Sequence, residues 1–489
     1  MEKRQKSFNI LSLIIIALLI FVPLYPKFPL FNVKGTYVAI RIEDFFVAFA
    51  VFVWFLGEFK QGFLSFKNRV GQLILLYWLV GGLSLLSALL ITKNITPHLA
   101  LLHFLRRIEY MSLFFVAFCS LKRLEEVKSY FLSLFLATAG VGIYAIGQKF
   151  FQWPVVSTMN EEFSKGMLLQ LTEWTRVNST FAGHYDLAAF LVMILALVFG
   201  FIGGVGNKLE KIFALLVGIF AFWVLLLTAS RISFTAYLLA VIFVLLILKK
   251  YWWLPPVLVF SLLGMVFSSD LGQRYALTFN IDLSAISSRL PRREARITSL
   301  FPTATPTPTS TSTLTPTPTP VSGFGQKVKV GPIVRITPPP TPIPTIVEVW
   351  RPTTEVAVEY SSGIRFKVEW PRAIRALIKN PFLGTGYSSI TLATDNDYLR
   401  ALGETGILGF LAFVLIFLEV GKEVLLYLRQ NLSPFLRGAI VGISGAMLGI
   451  LINATFIDVF EASKVAFIFW ILMGILVKLV SMKTEKISV

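Results

Sequence analysis

The feature that most restricts this chain is a series of apolar runs, each near the length a helix needs to cross a bilayer. Residues 187–201 read LAAFLVMILALVFGF, without one charge. Similar runs fall at roughly 8–25, 37–57, 70–92, 98–120, 130–149, 181–203, 210–228, 232–248, 254–268, 396–418, 438–457 and 464–480. A helix rises 1.5 Å per residue, so about 20 residues cover the ~30 Å hydrocarbon layer. Only 15% of the 489 residues are charged and 55% are hydrophobic, too little charge to clothe a soluble domain of this size. The alternating pattern of a membrane β-barrel is missing. The runs predict an all-α polytopic membrane protein with about twelve transmembrane helices.

The first run follows a basic start, Met1–Lys6, as in a signal peptide. No small-residue cleavage site follows it; Pro23, Tyr25 and Pro26 stand there instead, so it reads as a retained helix. Basic residues then collect in every second loop and at both ends of the chain. Examples are Lys3, Arg4 and Lys6; Lys60, Lys67 and Arg69; Lys122, Arg123 and Lys128; Lys249 and Lys250; Lys483 and Lys486. The positive-inside rule makes these loops, and both termini, cytoplasmic. It also accounts for much of the net charge of +18 without nucleic acid as a partner. The single cysteine, Cys119, excludes an intrachain disulfide.

The spans divide the chain into three parts: residues 1–268 with nine helices, 269–394 as one large external loop between helices nine and ten, and 395–489 with three helices. Long loops are functional or disordered. This one carries a Thr/Pro-rich low-complexity insert at 301–345, including FPTATPTPTSTSTLTPTPTP, which has nothing to bury and reads as a spacer. The remainder is basic, with Arg289, Arg292, Arg293, Arg296, Arg365, Lys367, Arg372 and Arg375 among its charges. It suggests an anionic partner such as a lipid head group or a diphosphate. Pro371–Lys379 is expected to form a short helix, basic on one face and apolar on the other, suited to lying against membrane lipids.

Ionisable groups at the ends of membrane helices are functional candidates by default. Three arginines from distant segments fall on the same side: Arg176 in RVNSTFAGHYDLAAFL, Arg231 in TASRISF and Arg365 in SSGIRFKVEW. A guanidinium matches phosphate oxygens, so their convergence would suit a pyrophosphate leaving group; each alone also fits an arginine reaching the interface. Asp395 heads DNDYLRALGETGILGF and is a candidate general base for a hydroxyl acceptor; Asp397 beside it suits a helix N-terminus. Arg400 and Glu404 are one turn apart and should pair. Gly403, Gly406 and Gly409 offer a face for close helix packing. His184 is an alternative base or a packing residue. No His or Cys cluster has metal-ligand spacing, and no nucleotide-binding motif is present.

Together these segments resemble the O-antigen ligase/O-antigen polymerase superfamily of membrane glycan transferases. The resemblance rests on RIEDFF (Arg41–Phe46), RVNSTFAGHYDLAAFL, the Ser230-Arg231 pair, SGIRFKVEW, NPFLGTGY (Asn380–Tyr387) and DNDYLRALGETGILGF, in that order. In ligases the last motif usually reads His, then Asn, Ser or Gln, then nine residues and GxxG. Asn396, Gly406 and Gly409 fit, whereas Asp395 stands at the histidine position, as in some polymerase-type members.

The resemblance implies a GT-C-like fold in a bacterial inner membrane and a part in cell-envelope polysaccharide or lipopolysaccharide biosynthesis. The donor would be a glycan on undecaprenyl diphosphate, and the acceptor a sugar hydroxyl on a glycan or lipid-linked glycan. Transfer would proceed with inversion, without metal or cofactor. Arg176, Arg231 and Arg365 become the expected diphosphate ligands and Asp395 the acceptor base, with His184, Arg372, Arg375 and Asp397 in support. Two other functions fit the same sequence. A flippase for lipid-linked glycans would explain many helices, but no internal repeat is visible. A protein O-oligosaccharyltransferase would make the threonine tract a tempting acceptor.

Overall fold

The structure, a computed structural model, describes residues 9–33, 36, 39–93, 95–158, 163–171, 175–268, 271–272, 274–275, 363–390 and 393–482. The Thr/Pro insert and most of the expected large loop lie outside the described residues. All described residues belong to one unit, Met1–Ile281 with Thr354–Val489.

Each of the twelve apolar runs is helical. In chain order the helices are α1 Ile10–Leu24, α2 Ile42–Gln61, α3 Arg69–Ser87, α4 Pro97–Ser120, α5 Leu124–Phe151, α6 His184–Gly204, α7 Lys208–Leu227, α8 Arg231–Ile247 and α9 Leu254–Phe267. Then come the short α10 Trp370–Lys379, α11 Asp397–Leu428, α12 Pro434–Asn453 and α13 Ser463–Ser481. A π-helical turn, Ala88–Thr92, extends α3, and another, Arg365–Glu369, leads into α10. Two small antiparallel pairs, Phe31–Asn32 with Ala39–Ile40 and Val155–Val156 with Leu168–Leu169, tie down connections.

Seven helices are long and apolar enough to cross a membrane: α3 with its π-turn, α5, α6, α7, α11, α12 and α13. They mark a helical membrane protein. α1 and α8 are apolar but shorter. α2 and α4 carry more charge, Glu43, Asp44, Glu58 and Lys60 in one and Arg106, Arg107 and Glu109 in the other. Yet α2 presents Phe45, Phe49, Phe52 and Phe59 outward, a stripe at helical spacing that suits lipid better than water.

Burial separates centre from rim. The most apolar stretch of α13 is 89% buried, whereas that of α7 is 39% buried. α6 and α12 cross at glycine: a Cβ on Gly200 would come within 2.5 Å of the Gly438 carbonyl oxygen. Such contact brings backbones close enough for dispersion to hold helices together where no hydrophobic effect separates them from lipid.

The two ends of the bundle differ. At one end, Ser12 Oγ donates to the Ser120 carbonyl at 2.9 Å and Tyr427 to the Met482 carbonyl at 3.0 Å, while Lys128 pairs with Glu210 at 2.7 Å. The basic loops containing Lys60, Lys122 and Lys208 belong to helix termini at this end. At the other end, buried polar side chains join the end of α1 to the starts of α2, α6 and α13. Lys464 donates to the carbonyls of Pro23 (3.3 Å), Tyr25 and Thr180 (2.8 Å), and Ser463 Oγ donates to Glu43 at 3.1 Å.

Candidate functional site

The polar end is built by segments that leave the helical pattern. Before α6 the chain turns through Ser179, whose φ of 52° is left-handed. Ser179 is held by its Oγ on the Val141 carbonyl (2.6 Å) and by Gln148 Oε1 on its amide (2.7 Å). Thr180 Oγ1 donates to the Pro23 carbonyl at 2.5 Å. These bonds fix the start of α6, and with it Arg176, His184 and Tyr185. The start of α8 is fixed by another chain: Ser230 Oγ donates to Ser233 Oγ (2.9 Å), which donates to Asn453 Oδ1 at the end of α12 (2.7 Å).

Of the three expected arginines, Arg176 and Arg365 meet at Tyr185, and Arg231 lies within electrostatic range of them. Arg176 lies 5.8 Å from the Tyr185 ring centroid and bonds His184 Nε2 at 2.5 Å. Tyr185 lies within interaction range of both Arg176 and Arg365. Arg231 in turn senses the charges of Tyr185, Arg365 and Arg176, and it reaches the Arg274 carbonyl at 3.4 Å. Two guanidinium groups from separate segments thus meet one phenol, with a third within electrostatic range. The local potential is positive, which favours an anion with several oxygens.

Arg365 is paired. Its Nε and NH2 groups both reach Asp395 Oδ2, each at 2.8 Å. Asp395 has a left-handed φ of 48°, uncommon outside glycine although aspartate tolerates it better than most residues. Asp458, in the connection from α12 to α13, holds this turn in place. Its carboxylate accepts the amides of Thr394 (2.8 Å), Asp395 (3.1 Å) and Asn396 (3.2 Å), and Arg400 NH2 at 3.0 Å. Asn396, rather than either neighbouring aspartate, caps α11 by accepting the Leu399 amide at 2.9 Å.

Behind this hub lies a buried ionic network. Arg400 reaches Glu404 (3.3 Å), as expected, and Glu461 (3.9 Å); Arg107 pairs with Glu461 and donates to the Phe460 carbonyl at 2.9 Å. Asp397 accepts the Phe460 amide at 3.1 Å. It therefore anchors the α12–α13 connection rather than joining the arginines.

The carboxyls outside the helices titrate differently. Burial raises the pKa of Asp395; Arg365 opposes the rise and Asp458 adds to it. Burial also works to raise Asp458, but Arg400 and the backbone amides override it and hold the group below its ordinary range. Glu369, closing the π-turn before α10, is pushed up to about 7 by burial and then by the charges of Asp395 and Asp458.

α11 is broken, and the break fits the Asn380–Tyr387 motif. Gly406 takes φ 67° and ψ −171°, a conformation essentially reserved for glycine. The loop repairs the lost helical bonds: Ile407 donates to Pro381 (2.8 Å), Leu408 to Phe382 (3.2 Å), Thr385 to Gly403 (2.9 Å) and Gly386 to Glu404 (2.9 Å). The three glycines therefore do not form one helix-packing face. Gly403 admits α10 near Ala373, Gly406 makes the break, and Gly409 lies against Thr405.

Of the other expected residues, Arg375 is exposed and Arg372 half-buried. Among the described residues, neither is hydrogen-bonded or ion-paired to Arg365 or Asp395, which bond each other. Tyr185, Asp458 and Glu369 join the site without having stood out in the sequence. Asp458 carried a usable signal, a charge between two apolar runs. Tyr185 and Glu369 carried none beyond their motifs. Among the described residues no group of three His, Cys, Asp or Glu side chains is arranged to hold a metal ion. Compared with protein-family models and with curated proteins, the chain matches none.

Proposed function

We propose that this chain is a glycosyltransferase of the O-antigen ligase/polymerase type, moving a glycan from undecaprenyl diphosphate to a sugar hydroxyl. In this reading it crosses the bacterial inner membrane twelve times. Both termini are cytoplasmic, and the polar end of the bundle and the large loop after α9 face outward. One observation carries the proposal: Arg176 and Arg365 meet at Tyr185, with Arg231 in electrostatic range and Asp395 on Arg365. A diphosphate needs several fixed positive donors to leave with its electron pair, and guanidinium groups supply them without reorganising. The acceptor oxygen forms its bond to the anomeric carbon as the bond to the diphosphate breaks, and its proton passes to a nearby carboxylate. The membrane holds the lipid tail while the reacting groups meet at the interface.

The test is glycan length in cells lacking this protein, complemented with wild type, Arg365→Ala or Asp395→Ala at matched expression. Wild type should restore long laddered polysaccharide, with both variants leaving single repeat units on the lipid. Long chains that stay on the lipid and miss their final acceptor would assign ligation. Variants indistinguishable from wild type would remove these residues from the site and favour a transporter.

A further inference from the structure

Glu369 has no part in the chemistry above except as an unnamed neighbour. It closes the π-turn that begins with Arg365, so it rides on the same rigid turn as the guanidinium that grips Asp395. It is 8% exposed, and its Oε2 is enclosed with no hydrogen-bond donor among the described residues. The same short stretch holds two more enclosed polar atoms in that condition, Trp370 Nε1 and Arg372 NH1, and Thr394 Oγ1 beside Asp395 is a fourth. Polar atoms buried without partners are costly and rare. Donors and an acceptor together suit a ligand rich in hydroxyl groups, because each hydroxyl both gives and takes a hydrogen bond. Trp370 meets Phe366 edge-on and Phe456 at a tilt, with centroids 4.7 and 5.8 Å apart, an aromatic cluster against which an apolar sugar face can pack.

Asp395 already has a task. Its Oδ2 takes both nitrogens of Arg365, a pairing that holds the guanidinium in place and opposes the rise that burial gives the carboxyl. Glu369 faces two carboxylates, Asp395 and Asp458, and two guanidiniums, Arg365 and Arg400. Burial first, then the carboxylates, set its affinity near neutrality, where general-base catalysis is most effective.

We propose that residues Glu369 to Arg372 form the acceptor-sugar subsite and that Glu369 takes the acceptor hydroxyl's proton, Asp395 serving to hold Arg365 toward the diphosphate. This inference rests on the glycan-transfer reading. In the step, the acceptor O–H bond gives its proton to Glu369 as the new C–O bond forms. The old C–O bond breaks toward the diphosphate, which carries off the electron pair among the arginines. Glu369 then releases the proton to water.

The experiment uses membranes containing the full chain and the cells' own lipid-linked glycan, with product length followed between about pH 5 and 9. Wild type should speed up with rising pH through a midpoint near 7. Glu369→Gln should lose about 100- to 10,000-fold in rate together with that pH dependence, while stabilisation by inorganic pyrophosphate, read by thermal shift, stays unchanged. Asp395→Asn should show the reverse: weaker pyrophosphate stabilisation, with the pH limb kept. A Glu369→Gln rate within a few-fold of wild type overturns the inference, as does loss of the pH limb in Asp395→Asn. If Glu369→Gln fails to fold, Glu369→Asp decides: a displaced limb supports the proposal and an unchanged limb overturns it. Wild-type membranes that make no product defeat the glycan-transfer reading itself.

Discussion

Asp458 is the residue whose loss should be felt most widely at the polar end. Its carboxylate holds three consecutive amides, Thr394 to Asn396, and Arg400 NH2 at 3.0 Å. Asparagine keeps the shape and one acceptor oxygen but removes the charge. Hydrogen bonds to a charged acceptor contribute roughly 1.5–3 kcal/mol against about 1 kcal/mol for neutral ones. Removing one member of a buried ion pair costs about 3–5 kcal/mol. Arg400 keeps Glu404 at 3.3 Å and Glu461 at 3.9 Å, which offsets part of that loss. Asp458→Asn should therefore cost about 3 kcal/mol and Asp458→Ala about 4 kcal/mol.

The assay is reversible unfolding in detergent micelles, with Arg400→Gln and the double variant completing a cycle; the coupling should reach about 2 kcal/mol. The pH dependence has a definite sign. The pKa of Asp458 is depressed in the folded state, so its stabilisation is present above the ordinary carboxylate value of about 3.9 and fades as pH falls through the folded value. Wild type and Asp458→Asn should converge only in acid. A loss below about 0.5 kcal/mol at neutral pH, the size of an ordinary surface substitution, would refute the hub, and with it the account of how Asp395 is held at positive φ.

Two further changes probe the scaffold. Gly406→Ala forces a side chain into a glycine-only conformation and against the Phe382 carbonyl, so it should cost about 3 kcal/mol or more; limited proteolysis within the Asn380–Tyr387 loop should rise with it. Lys464→Met leaves the carbonyls of Tyr25 and Thr180 without their buried donor; a lower unfolding midpoint and faster hydrogen exchange around Thr180 are expected, and wild-type exchange there would show that Lys464 is dispensable.

The sequence by itself determined the helices, because hydrophobicity and length are local properties that a lipid solvent reads directly. All twelve apolar runs are helical, with their larger errors at ends where tertiary context intervenes. α2 begins only at Ile42 because Ala39–Ile40 pairs with Phe31–Asn32. α11 continues to Leu428 because its apolar face persists beyond the expected end. The sequence also supplied the arginines of the candidate site, since a charge at the end of an apolar run is conspicuous. What it did not contain is which charge meets which. Asp458 grips the approach to α11 across 58 to 64 positions, and Lys464 closes on Tyr25 across 439. Such partners are chosen by helix packing, not by local pattern. For the same reason the GETG stretch read as a packing face, whereas the folded chain breaks α11 at Gly406 and fills the gap with a loop whose own glycines allow it. The tertiary structure alone decided that Asp395 is occupied by Arg365 and that Glu369 lies buried beside it, because both facts depend on where a π-turn settles against the end of a distant helix.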